Sequence, residues 1–103
     1  MKEAINDGSK KKDNARDILA RYMSEQGMRK TPERFAILDV VMRMKGHHSA
    51  DEILTMMPQD FPVSRGTIYS TLALLVECGL AYNHQTEGAT LYECAFGKQP
   101  HHH

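Results

Sequence analysis

The side chains able to do chemistry fall into three groups along this 103-residue sequence. Two cysteines, Cys78 and Cys94, stand sixteen positions apart and form no CxxC pair. Neither has a sequence neighbour that would activate it as a nucleophile, so both read as reduced thiols in or near a core, in a cytoplasmic protein. Histidines occur as a pair, His47 and His48, and as a closing run, His101 to His103. Imidazoles suit divalent transition metals where they converge, but a pair ahead of a helix cap also fits two exposed loop residues. The third group is SRGTIYSTLALLVECGL, residues 64–80. Its apolar stripe of Ile68, Leu72, Leu75 and Val76 leaves Tyr69 beside Ser70 and Ala73 on the open face, with Arg65, Gly66 and Thr67 leading up to it. That combination suits contact with a surface, not bond-making. There is no nucleophile–base pair and no phosphate-binding loop, so the chain reads as a non-enzyme.

The elements that must position these residues are legible from period and punctuation. Residues 1–12 lack periodicity and carry Gly-Ser and a triple lysine, which reads as a flexible basic arm. A helix is expected from a cap at Asp13 or Asn14, with Ala15, Ile18, Leu19, Tyr22 and Met23 on its buried side and Gly27 at its end. Thr31 can cap a second helix, Pro32 fits its first turn and Glu33 suits its positive end. Phe35, Leu38, Val41 and Met42 supply its core face, Ile37 and Met44 its flank, and Gly46 stops it. SADEILTMMP is a short third helix, with Ser49 and Glu52 at capping-box spacing and Pro58 at the exit. Ser64 can cap the fourth helix, which ends at Gly79. Beyond Gly79 the period becomes two: LAYNHQ and TLYECAF read as a two-stranded hairpin closed by TEGA.

A mainly α chain with a small β-hairpin in this order describes a winged helix-turn-helix. In such domains the second helix of the pair enters the major groove and its N-terminal part faces base edges. Small residues there (Ser64, Gly66, Ser70) permit close approach, Tyr69 can lie against a thymine methyl, and Arg65 can reach a phosphate or a guanine. The zero net charge conceals a basic first half: residues 1–45 hold eleven Lys or Arg against seven Asp or Glu, and residues 46–103 hold two against six. Such an asymmetry is compatible with a polyanionic partner. No apolar run approaches the length of a membrane span, and the lysine-rich start lacks the apolar stretch of a signal peptide. The alternative from another class is a winged-helix protein–protein interaction module in which the face of residues 65–73 binds a protein.

Taken together, RKTPERFAIL, HHSADEI, SRGTIYSTLALLVECGL, TLYE and the final HHH resemble the N-terminal part of the ferric uptake regulator (Fur) family, from about Gly27 to the last residue. The resemblance implies the DNA-binding domain of a metal- or peroxide-responsive transcriptional repressor. It also implies a near-palindromic double-stranded operator and a homodimer in the intact protein. Residues 13–96 would be the winged-helix domain. Residues 97–103 would begin the linker to a dimerisation domain outside this chain, which would itself be mostly monomeric. By the same resemblance Tyr69 matches a base-contacting tyrosine, Arg29 a basic residue in the loop before the second helix, and Arg34 the arginine of T-P-x-R. Ser64, Arg65, Thr67 and Ser70 complete the implied DNA-binding set. Ser70 departs from a pattern in which many members carry Arg and some peroxide-sensing members Asn.

The implied regulatory metal ligands are His47 of H-x-S-A, Glu93 of the second wing strand, and His101 and His103 of H-x-H. They suit Fe(II), Mn(II) or Zn(II) in the intact protein. The closing histidines are in register with the family linker, the other reading being a tag remnant. With a further carboxylate expected from the second domain, these 103 residues alone are not expected to hold a metal firmly.

Overall fold

The computed structural model describes residues 7–95, with side chains from Asn14 onward. Its elements are α1 (Asp7–Glu25), α2 (Pro32–Arg43), β1 (His48–Ser49), α3 (Ala50–Met56), α4 (Arg65–Glu77), β2 (Ala81–Thr86) and β3 (Ala89–Cys94). The winged helix-turn-helix expected from the sequence is the observed fold, with one strand more than the hairpin.

α1 begins at Asp7, earlier than the cap expected at Asp13 or Asn14, so residues 7–12 are helix and not arm. The sequence permits this extension. Lys10 to Lys12 are good helix formers, no proline interrupts them, and Asp7 suits the positive helix end. The helix closes as expected at Gly27, whose φ of 69° is a left-handed conformation that costs glycine little. Gly27 N–H donates to the Ser24 carbonyl and Met28 N–H to the Met23 carbonyl, the paired bonds of a Schellman ending. α4 ends the same way. Gly79 (φ 86°) donates to Val76 O and Leu80 N–H to Leu75 O, and Leu80 turns into the core.

At the start of α2, Pro32 fills the first position and Thr31 has the extended backbone of a cap, but the Thr31 side chain makes no capping bond. Instead Arg34 N–H donates to the Thr31 carbonyl. α3 has the full capping box: Glu52 N–H donates to Ser49 Oγ at 3.1 Å, and Ser49 N–H to Glu52 Oε1 at 3.0 Å. A seven-residue helix is too short to persist on propensity alone, so its cap matters. Ser49→Ala is expected to cost about 1 kcal/mol, read as a lowered urea midpoint at unchanged m-value, and no loss would mean that tertiary packing alone holds α3.

The core gathers on one side of every helix. Leu19 and Met23 of α1, Ile37, Leu38 and Val41 of α2, Ile53 of α3, and Ile68, Leu72 and Leu75 of α4 are fully buried. The buried side of α2 is rotated from the expected one. Ile37 and Val40 are inside, whereas Phe35 and Met42 are half-buried. Phe35 is instead the platform for Arg16, whose guanidinium lies 5.2 Å from the ring centroid and whose Nη1 donates to both Asp39 oxygens at 3.0 and 3.1 Å. That shared contact ties α1 to α2 and explains why Phe35 stays half-buried.

The sheet order is β1-β3-β2, antiparallel throughout. Thr86 pairs with Ala89 across the Glu87–Gly88 turn, and the ladder continues through His84↔Leu91 to Ala81↔Cys94. β1 pairs His48 with Tyr92 and Ser49 with Leu91. Ala81 and Tyr92 face the core. The same alternation sends Tyr82, His84, Leu91 and Glu93 to the opposite face.

Candidate functional site

α4 is set by its interior. Ile68, Thr71, Leu72, Leu74 and Leu75 are buried, a broader stripe than the expected one, in which Val76 is only half-buried. This fixes the opposite face, where Arg65, Gly66, Tyr69, Ser70 and Ala73 are exposed. Tyr69 is 47% exposed, and only Tyr82 among the described large apolar residues joins it as exposed. Tyr69 borders an open groove whose other walls include Asp51 of α3 and Gln85, Thr86 and Thr90 of the wing. Tyr92 lies close by: burial raises its phenol above the usual range, and the neighbouring Tyr69 adds to the shift.

The polar residues at the head of α4 already have internal work. Ser64 Oγ accepts from Thr67 N–H at 3.1 Å and lies 2.9 Å from Thr67 Oγ1, so these two hydroxyls cap the helix. Ser70 Oγ donates back to the Thr67 carbonyl at 3.3 Å. Arg65 lies 3.4 Å from Asp51, both well exposed. Such a pair contributes little and leaves the arginine able to turn to another anion. Unlike α2 and α3, α4 has no acidic residue in its first turn, so its positive end is not neutralised locally. Arg29 is exposed in the loop before α2, and Arg34 is half-buried in the first turn of that helix.

A second cluster lies on the solvent face of the sheet. His47, just before β1, places Nε2 3.3 Å from Glu93 Oε1. His84 of β2, which the sequence reading passed over, places its Nε2 3.2 Å from the same oxygen. The two imidazoles meet edge to face, with centroids 4.5 Å apart and planes at 89°. One ligand atom from each of the three residues lies within 4.8 Å of the others. The register contained the signal for His84. With Thr86↔Ala89 closing the turn, His84 and Glu93 are diagonal cross-strand neighbours, within reach for long side chains. His48 is used otherwise: its Nε2 meets the Lys45 carbonyl at 2.8 Å and its Nδ1 lies 3.4 Å from Glu52. His101 and His103 lie outside the described residues.

Two imidazole nitrogens and a carboxylate oxygen form a donor set that fits a divalent transition ion. Cys78 and Cys94 are half-buried thiols. Burial pushes the Cys78 thiol up, which keeps it protonated and unreactive, and Cys94 Sγ lies 3.9 Å from Met42 Sδ.

A winged helix with an exposed aromatic on its second motif helix defines the class. The chain matches the Ferric uptake regulator family over residues 25–103 and belongs to that family of transcriptional regulators. It is 33% identical over 82 residues to the peroxide-responsive repressor PerR of Staphylococcus aureus, covering 79% of this chain and 55% of that protein. It is 37% identical over 59 residues to the peroxide operon regulator of Bacillus subtilis, covering 56% and 41%. The chain thus spans about half the length of the curated relatives it matches. Among solved structures, PerR from Streptococcus pyogenes superposes with a TM-score of 0.63 at 28% identity, over 75% of this chain and 54% of that one. The ferric uptake regulator of Helicobacter pylori, described as having three functional metal-binding sites, superposes with a TM-score of 0.75 over 85% and 60%; at 20% identity this likeness speaks for the fold. No helix among the described residues is long and apolar enough to cross a membrane.

Proposed function

We propose that this chain is the sequence-specific DNA-binding unit of a metal- or peroxide-responsive repressor, acting on duplex operators as part of a homodimer whose second domain lies outside these residues. The observation that carries the reading is the outer face of α4. Its buried side is fully committed, Ser64 is spent on capping, and what it offers outward is Arg65, Gly66, Tyr69 and Ser70. Such a face, with a helix N-terminus free of acidic residues behind it, suits a groove lined by phosphates. Asp51 beside Arg65 gives the resting arginine a partner, which a phosphate or a guanine edge displaces. Ser70 supplies no bidentate contact to a base, so Arg65 and Tyr69 carry most of the discrimination. Arg29 and Arg34 act on the backbone. Fe(II), Mn(II) or Zn(II) is the regulatory ion, held by His47 and Glu93 with His101 and His103 of the following segment.

The test is fluorescence anisotropy with labelled duplexes selected from a random pool, repeated across salt concentrations. Binding should weaken steeply with salt, and Arg29→Ala and Arg34→Ala should each weaken binding to all sequences and reduce the salt slope by about one. Absence of duplex selection, or salt-insensitive binding, would overturn the reading in favour of a protein partner. The isolated chain should sediment mostly as a monomer, since a linked second half-site comes only with the dimer.

A further inference from the structure

We infer that His84 is a third ligand of a Zn(II) site assembled entirely within residues 47–93, so that the wing can hold the ion before the following segment contributes. The inference rests on the metal-responsive reading above and departs from the ligand set that the family resemblance supplies, in which His84 has no place.

The geometry is that of three donor atoms already brought together. Zn–N distances of 2.0–2.1 Å in a tetrahedron place neighbouring ligand atoms about 3.3 Å apart. His47 Nε2 and His84 Nε2 lie 3.3 and 3.2 Å from Glu93 Oε1, and the ligand atoms all fall within 4.8 Å of one another. Each comes from a different segment: the turn before β1, β2 and β3. The β2–β3 ladder fixes the backbones of His84 and Glu93, and His47 directly precedes the β1 residue paired with Tyr92. Little backbone entropy therefore remains to be lost on binding, in contrast to ligands on an unpaired segment.

A structural role for the two imidazoles is confined to partnering Glu93, whose side chain is 19% exposed. His47 and His84 are about half exposed, and ion pairs at such positions add little to stability. Bringing two imidazoles to one carboxylate oxygen serves a cation better than it serves the fold. His48 shows the contrast, with both ring nitrogens engaged by Lys45 and Glu52. Three protein ligands leave a fourth tetrahedral position open, which solvent or a further histidine can take. The donor types favour Zn(II) over Fe(II) and Mn(II) in raw affinity by the usual metal order.

The experiment is a Zn(II) titration of the 103-residue chain against a chromophoric chelator, paired with Co(II) absorption as a coordination readout. The variants are His84→Ala, His47→Ala and a double His101→Ala/His103→Ala, each checked for unchanged far-UV circular dichroism without metal. His84→Ala is expected to weaken Zn(II) by about tenfold or more, the scale on which even supporting partners of a metal ligand matter, and to alter the Co(II) spectrum. The double variant should still bind and should still depend on His84. If His84→Ala matches the parent while His47→Ala loses binding, His84 is no ligand and the regulatory reading stands without it. If neither changes binding, or only the double variant abolishes it, the site within residues 47–93 does not exist. In that case the reading of His47 as a metal ligand falls too.

Discussion

Leu72→Ala is expected to lower the melting temperature by about 10 °C or more. Leu72 is fully buried, as are Ile68 before it and Leu75 after it, and α4 packs against α2, α3 and β2 at once. Removing the side chain leaves a cavity bounded by three elements, which cannot all close toward it. Such truncations cost about 2–5 kcal/mol, a large share of the roughly 5–15 kcal/mol that holds a small domain together. The consequence for function is indirect and specific. The outward face of α4 is defined only by the inward one, so a loosened core rotates or frays the surface proposed to meet DNA. Thermal melting of the variant measures this, and a shift of only a degree or two would mean that α4 is held chiefly by its termini.

The inward face was legible because helical period is a local signal: Ile68, Leu72 and Leu75 stand at spacings that any amphipathic helix must show. Ser49–Glu52, Ser64 and the glycines at 27 and 79 were legible for a similar reason, since caps are made by residues a few positions apart. What escaped was non-local. β1 is two residues long and pairs with a strand more than forty positions on, so no periodicity marks it, and HHSA reads as a cap alone. The rotation of α2 followed from Arg16 taking Phe35 as its platform, a choice made by another helix. The early start of α1 had a compositional cause, because lysines read equally as a solvated arm and as helix. Within the candidate site, His47 and Glu93 were found through motif resemblance. His84 required the hairpin register, which the short turn at Glu87–Gly88 fixes only once both strands are aligned.

Tyr69→Ala is expected to weaken operator binding by roughly 1–3 kcal/mol, about five- to 150-fold, and to relax preference at one or two base pairs. The argument begins with position. Tyr69 is 47% exposed, on the first turns of α4, at the flank of the stripe made by Ile68, Leu72 and Leu75. A side chain held there by a well-capped helix loses little freedom on binding, and its ring offers apolar area to a thymine methyl together with a hydroxyl for a polar edge. Its small neighbours Gly66, Ser70 and Ala73 leave the ring room to approach the groove floor. Truncation should therefore remove a specific contact while leaving the electrostatic part of binding intact. The salt slope of Tyr69→Ala should equal that of the parent, in contrast to the flattened slopes of Arg29→Ala and Arg34→Ala. Tyr69→Phe separates the two halves of the contact. If the ring face does the reading, Phe retains most of the affinity, and if the hydroxyl does, Phe resembles Ala. Competition between the selected operator and random duplex, measured by anisotropy for all three proteins, decides among these outcomes. Should Tyr69→Ala hold its operator as tightly and as selectively as the parent, α4 is not the recognition helix, and the outward face it presents must serve another surface.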